Sequence, residues 1–280
     1  MSSHPFAALA CPLDGGPLQR DGAAWRCTAG HSFDIAREGH VNLLPVQQKR
    51  SRDPGDSKEM VAARRRYLNA GHYEPIAALV ARATLTDAPG KLACLDAGCG
   101  EGYYLRQLAT AGDGITDLAL LGLDISKWAV QAAAKQRRDA SWVVGTNARL
   151  PVLPASLDRV LCLFGFPVYA EFARVLKPGG LLLQVDAGAD HLRELREIIY
   201  PTLKAERNAT APTPAGFARA DGESLRYELE IAGAERIADL LLMTPHFFKA
   251  SVEGRTRAMA LESLRVTIEV KLTRFVRVTG

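Results

Sequence analysis

The run LDAGCGEG, Leu95–Gly102, sets an acid, Asp96, ahead of three glycines at alternate positions, Gly98, Gly100 and Gly102. It begins as a short apolar strand and ends where a helix starts. Glycines at such a junction let the chain turn tightly and let a ligand come close to the backbone. Asp124 closes the next apolar strand, 22 residues after Gly102, where an acid can bind a ribose diol. A dinucleotide loop spaces its glycines G-x-G-x-x-G to receive a pyrophosphate. Here the spacing is G-x-G-x-G, and Asp96 would repel a pyrophosphate. An acid at that point suits a cation. S-adenosylmethionine (SAM) carries an ammonium and a sulfonium and no phosphate, so it fits. The plain alternative is a tight turn that holds no ligand.

A second constellation lies near the start. Cys11-x-x-Asp14 and Cys27-x-x-x-His31 are two short hairpin-like pairs, with fifteen residues between the two cysteines. This is the pattern of a zinc ribbon or knuckle, which needs four ligands. Cys11, Cys27 and His31 are ordinary zinc ligands, and Asp14 is the first choice for the fourth, with His4 in reserve. Metal would supply folding energy that so small a module cannot draw from an apolar core. The metal-free alternative is a pair of buried thiols.

The elements that must position these groups follow from the apolar pattern. Residues 1–45 form a small module, and residues 46–72 a basic linker and helix. The helix begins near Ser57, capped by Asp56 and boxed by Glu59, and stops at Gly71. Residues 73–280 carry the rest. A helix over Tyr73–Ala83 is followed by strands over Leu92–Gly98, Leu118–Ile125, Ser141–Gly145, Asp158–Phe164 and Gly180–Asp186. Helices over Tyr103–Ala111, Lys127–Arg138 and Val168–Leu176 lie between them. Near-continuous apolar strands joined by helices predict an α/β, Rossmann-like parallel sheet covered on both faces. Residues 203–224 read as a loop. Leu225–Ile231 and Leu264–Val278 alternate with period two and predict antiparallel edge strands, with a helix near Glu235–Met243 between them.

The 280 residues are 48% hydrophobic and 24% charged, which excludes a disordered or fibrous chain. No apolar run approaches the roughly 18 residues of a membrane helix. The start lacks a basic leader, and five cysteines are an odd number, so a cytoplasmic protein without a disulfide framework is expected. Net charge is +4, and residues 37–66 hold eight Lys/Arg against four Asp/Glu. A local basic surplus suits a phosphate-backbone partner; a solvated linker is the alternative.

The chain resembles the class I SAM-dependent methyltransferases in LDAGCGEG, in GLDIS and in RVLKPGGLLL (Arg174–Leu183). By that resemblance Asp96 steers the methionine amino group, Gly98 and Gly100 back the methionine moiety, and Asp124 holds the ribose. Thr146–Pro151, with Asn147, lies where adenine is met. CPLDGGPL, WRCTAGHSFDIAREGHVNLLP and KRSRDPGDSKEMVAARRRYLNAGHY are similar to the 23S ribosomal RNA guanine-N1 methyltransferases. That similarity weakens over residues 200–280. It implies zinc ligation by Cys11, Cys27 and His31, and SAM contacts by Tyr73, Gly100, Glu101 and His191. The family has a cysteine where this chain has Asp14. The resemblance also implies 23S ribosomal RNA as partner, N1 of a guanine as the methylated atom, and a homodimer whose N-terminal modules frame an RNA cleft.

Guanine N1 carries a proton, so an acceptor near the target should assist. Asp186 and Glu101 are the candidates. N1 lies on the Watson–Crick edge, so the base must be unpaired or flipped out. Phe164, Phe166 and Tyr169 could stack on it; plain core is their alternative role. FGFPV (Phe164–Val168) lacks the Asn/Asp-Pro-Pro-aromatic element that holds an exocyclic amine, and no Pro-Cys or Thr-Cys offers a thiolate. Two rival functions stand beside this one. A small-molecule methyltransferase would have no use for a metal module on a basic arm. A catalytically silent RNA-binding or assembly protein would not bind SAM.

Overall fold

The apolar runs become strands buried on both faces. In a computed structural model, residues 3–48, 51, 53–202 and 212–278 are described. In chain order the first five strands are β1 (Ser3–Pro5), β2 (Gln19–Asp21), β3 (Ala24–Arg26), β4 (Ser32–Asp34) and β5 (His40–Asn42). Then come α1 (Lys58–Asn69), α2 (Glu74–Leu85), β6 (Lys91–Ala97), α3 (Tyr103–Gly112), β7 (Asp117–Asp124), α4 (Lys127–Gln136) and β8 (Ser141–Val144). The remainder is β9 (Leu157–Leu163), α5 (Tyr169–Val175), β10 (Leu176–Ala187), α6 (Arg193–Ile199), β11 (Phe217–Ala232), α7 (Ala234–Met243), α8 (His246–Lys249), α9 (Val252–Met259) and β12 (Ser263–Arg277).

Among the described residues the main sheet has nine strands. Eight run in the order β11-β12-β10-β9-β6-β7-β8-β5, and β1 pairs with the first half of β7, leaving the second half to β8. The strands from β10 to β5 are parallel to their neighbours, and β12 and β11 turn back antiparallel. The α/β Rossmann-like expectation is met. Strand order reverses at β6, which is flanked by β7 and β9. A crevice therefore opens at the carboxyl ends of β6 and β9, where ligands bind in open α/β sheets.

Two strands of the expected N-terminal module, β1 and β5, are hydrogen-bonded into this sheet. Only β2-β3-β4 forms a sheet of its own. The hydrogen-bonded sheet therefore draws on strands from both sides of residue 45. The expected loop over residues 203–224 is also corrected: β11 begins at Phe217, paired with Arg277, and residues 203–211 lie outside the described residues. Ser57, not Asp56, caps α1, accepting from the Met60 N–H at 3.3 Å, because the Asp56 carboxylate is bonded to Arg64. No helix among the described residues is long and apolar enough to cross a membrane.

Trp142 locks the centre of one face. It is 2% exposed, and its Nε1–H donates to the Arg137 carbonyl at 2.7 Å. Its ring lies against the backbone of two glycines: a Cβ on Gly122 would sit 2.2 Å from Trp142 Cζ3, and one on Gly102 2.6 Å from Cη2. The indole cannot retreat without losing its hydrogen bond. Gly122→Ala is therefore expected to destabilise the protein by about 3 kcal/mol, the cost of overpacking a close-packed core. A denaturant titration of the variant against the parent checks this, and an unchanged midpoint would refute it.

Candidate cofactor and zinc sites

The chain leaves β6 at Ala97 and turns through Gly98, Gly100 and Gly102, whose φ angles are 105°, 54° and 82°. A side chain at those angles would be strained. The Gly98 and Cys99 N–H groups both donate to the Leu123 carbonyl, at 2.8 and 2.9 Å, tying the turn to the end of β7. Asp124 finishes the job: its Oδ2 accepts from the Gly100 N–H at 2.9 Å and its Oδ1 from the Ser126 N–H at 2.8 Å. Burial nonetheless pushes the Asp124 carboxyl above the usual range, partly offset by those two donors.

Asp96 differs. It is 1% exposed, and among the described residues neither carboxylate oxygen has a hydrogen-bond partner. Burial, reinforced by the nearby Asp124 charge, pushes its pKa up to about 8. Two orphaned buried acceptors are costly unless a ligand completes them. Asn147 Oδ1 is a third buried acceptor without a partner, while its Nδ2 donates to the Ala97 carbonyl at 3.3 Å. A Cβ on Gly98 would meet nothing within 4 Å, so open space adjoins the turn. That set fits SAM: acceptors for an ammonium, an acid by the ribose position, and bare backbone between them.

The space beside the turn is a cavity of about 410 Å³. It brings together Tyr73, Gly98, Gly100, Glu101, Phe164, Asp186 and His191, all singled out in the sequence. His191 Nδ1 accepts from the Glu269 N–H at 3.3 Å, so its proton sits on Nε2 and donates to the Tyr73 hydroxyl at 3.2 Å. Burial lowers the His191 pKa to about 4, so the ring is neutral, and burial raises that of Tyr73. The Tyr73 hydroxyl keeps its own proton to donate. Phe164 sits 6.2 Å from the Tyr73 ring and 5.9 Å from His191, completing an aromatic wall. Its φ of 54° is unusual for a bulky residue and turns the chain sharply as it leaves β9.

The zinc candidates also converge. The ligand atoms of Cys11, Asp14, Cys27 and His31 lie within 4.8 Å of one another. Specific separations are 3.0 Å for Asp14 Oδ2 to His31 Nδ1, 3.3 Å for Cys27 Sγ to His31 Nδ1, 3.3 Å for Cys27 Sγ to Asp14 Oδ2, and 3.5 Å for Cys11 Sγ to His31 Nδ1. A tetrahedron built from zinc–ligand bonds of roughly 2.0–2.3 Å has edges of about 3.3–3.8 Å, which three of these separations approach or meet, while the Asp14–His31 edge is shorter. The Gly16 N–H donates to Asp14 Oδ1 at 2.8 Å, leaving Oδ2 toward the cluster. That bond, with Cys27, holds the Asp14 carboxyl down at about 2. Zinc would thus be held by four protein ligands and serve structure. His4 is elsewhere, in β1, its Nε2 3.6 Å from Asp117.

Comparison with known proteins gives a family for each of the two regions. A family model for the N-terminal region of RlmA, a zinc ribbon, matches residues 9–52, and a methyltransferase-domain model matches residues 94–180. A protein of Micromonospora griseorubida assigned as a 23S rRNA (guanine-N(1)-)-methyltransferase is 36% identical over 97% of this chain and 99% of its own length. The chain belongs to the 23S rRNA guanine-N1-methyltransferase family. YxjB of Bacillus subtilis, with the same assignment, is 30% identical over 95% of this chain and 96% of its own. The 23S rRNA (guanine(748)-N(1))-methyltransferase of Streptomyces fradiae is 36% identical over 70% of this chain and 69% of its own.

For a methyltransferase of this family, three expectations need correcting. Glu101 is no proton acceptor: Arg106 donates to both its oxygens at 3.0 Å, and Gln136 Nε2 to Oε2 at 2.6 Å. Tyr169 packs on Phe217 and Phe275 and donates to Gln184 Oε1 at 2.9 Å, away from the cavity. Phe166 is 91% exposed and does not line it. Other cavity residues escaped sequence reasoning. Arg64 was legible only as one charge in a basic run. Tyr104 reads as helix core. His246, whose Nδ1 is 2.9 Å from the Tyr200 hydroxyl, sits in no motif. The basic run is also partly engaged within the protein, since Arg66 bonds both oxygens of Asp239, at 2.9 and 2.6 Å.

Proposed function

We propose that this protein transfers the methyl group of SAM to N1 of a guanine in a stem-loop of 23S rRNA. The observation that carries the reading is one cavity holding the glycine turn, the Tyr73–Phe164–His191 wall and the carboxylate of Asp186. SAM supplies an activated methyl carbon. The protein's task is to place guanine N1 in line with it and to exclude water. A guanine swung out of its stem would stack on Phe164, which is 40% exposed. Asp186 is the base: it lies at the end of β10, exposed to the cavity, with only Oδ2 engaged among the described residues, by Gln184 Nε2 at 2.8 Å. Its remaining acceptor would take the N1 proton as the N–CH₃ bond forms.

Residues 1–45 act as the RNA-recognition module, and residues 46–72 as the basic linker and helix. Arg20, Arg37 and Arg138 rim a second hollow of about 210 Å³, walled by Trp25, which suits a phosphate backbone beside a stacked base. The cytoplasm is the site of action, and the working unit is a homodimer, which sedimentation would reveal.

The experiment is incubation with methyl-labelled SAM and an unmodified 23S rRNA stem-loop, followed by primer extension. Methylation at N1 blocks pairing, so a stop beside one guanine is expected. Label appearing solely on small acceptors would defeat the reading. Asp186→Asn is expected to slow the chemical step by roughly 10²–10⁴-fold while leaving SAM affinity unchanged. Single-turnover methylation compared with SAM titration separates the two effects; a full-speed variant removes Asp186 as the base.

A further inference from the structure

We propose that Arg64 is the carboxylate receptor of the cofactor site: its guanidinium takes the α-carboxylate of the methionine moiety of SAM while Asp96 takes the ammonium. The proposal rests on the SAM reading above. SAM ends in an amino acid, so its recognition needs a cation as well as an acid. Among the described residues lining the 410 Å³ cavity, Arg64 is the one lysine or arginine. It lies on the glycine turn itself: a Cβ on Gly100 would be 3.5 Å from Arg64 Nη1 and 3.7 Å from its Cδ.

The guanidinium is held ready by groups from elsewhere in the chain. Nη1 donates to the Asp56 carboxylate, and Nη2 donates to the Met243 carbonyl, at 3.0 Å, at the end of α7. Asp56 is itself pinned, its carbonyl accepting from Ser126 Oγ at 2.6 Å. Gly55 lies so close that a Cβ there would be 2.9 Å from the Ser126 backbone nitrogen. A guanidinium has five N–H donors, and these anchors use two, leaving three for a second acceptor. A fixed, planar fork loses little freedom on binding a carboxylate. The surroundings also require it. With Asp56, Asp96 and Asp124 close to the turn, a carboxylate entering without a cation would be repelled. A bolt between α1 and α7 alone would have no reason to sit on the cofactor turn.

The test is calorimetric binding of SAM and of decarboxylated SAM, which keeps the ammonium, sulfonium and adenosine. The parent protein is expected to prefer SAM by roughly 10- to 100-fold, the worth of a charge-assisted bond. Arg64→Met should lose that preference, binding SAM 10- to 100-fold more weakly on the same scale while holding decarboxylated SAM as the parent does. Equal weakening of both ligands would make Arg64 a structural bolt and overturn the proposal, as would no change in either. Should R64M not fold, R64K, which keeps the charge without the fork, is expected to weaken SAM selectively. An unaltered SAM preference in R64K would then overturn the assignment. A parent protein that binds neither ligand would defeat the SAM reading itself, a distinguishable result.

Discussion

Replacing Asp96 with asparagine is expected to weaken SAM binding by roughly 30- to 5,000-fold, since removing one partner of a buried ion pair costs roughly 2–5 kcal/mol. The same change should stabilise the ligand-free protein at pH 8. Asp96 has no hydrogen-bond partner among the described residues, so folding buries a carboxyl whose charge none of them compensates. Its pKa rises to about 8, against an unfolded value near 3.8. Between those pH values the folded protein holds a proton that the unfolded chain has released. Stability therefore falls as pH rises from about 4 to 8 and then levels off. D96N removes that slope, so its advantage is largest at pH 8 and closes toward pH 4. Binding reverses the demand, because an ammonium needs the ionised acid. Below pH 8, SAM uptake should expel close to one proton, and affinity should climb as pH rises from 6 to 7.5. Calorimetry in buffers of different ionisation enthalpy reads the proton count directly. A D96N protein that keeps its affinity would remove this acid from the site.

The second large effect concerns the metal cluster. Cys27→Ala is expected to cost the protein its zinc and to unfold the ribbon. Structural zinc contributes about 10 kcal/mol or more of apparent folding free energy. Little else holds this segment: Cys11, Leu18 and Cys27 are buried, but β2, β3 and β4 are three residues each and largely exposed. Asp14→Cys should act in the opposite sense, because a thiolate is a better zinc ligand than a carboxylate with one oxygen already bonded to Gly16. Chelator competition with elemental analysis should rank D14C above the parent and C27A at zero. A parent protein holding well under one equivalent after metal-free purification would count against the site.

The central elements were legible because their physics is local. Strands such as Leu92–Ala97 are buried on both faces and read as continuous apolar runs, and the glycine turn announces itself by residue type. The positions of Asp96 and Asp124 followed, since they are set by where those strands end. What escaped depends on partners distant in sequence. Ser3–Pro5 is short, polar and ends in proline, and it becomes a strand only because the edge of β7 is there to receive it. Residues 217–224 carry no clean alternation because β11 is an edge strand exposed along this stretch. Glu101 looked available until Arg106 and Gln136 were seen to claim its oxygens. Asp56 reads as a cap because the pattern weighs side chains near in sequence, whereas its partner Arg64 lies two turns along α1.

The insertion of β1 and β5 beside β7 and β8 has a practical bearing on any minimal catalytic fragment. Cutting the chain after residue 45 would strip two strands from an otherwise intact scaffold. Leu118–Leu120 would lose the partner strand β1, and Trp142–Val144 the partner strand β5. Open backbone donors and acceptors on flat, apolar strands recruit other chains. A truncated enzyme would therefore precipitate or stack edge to edge, however complete its cofactor pocket.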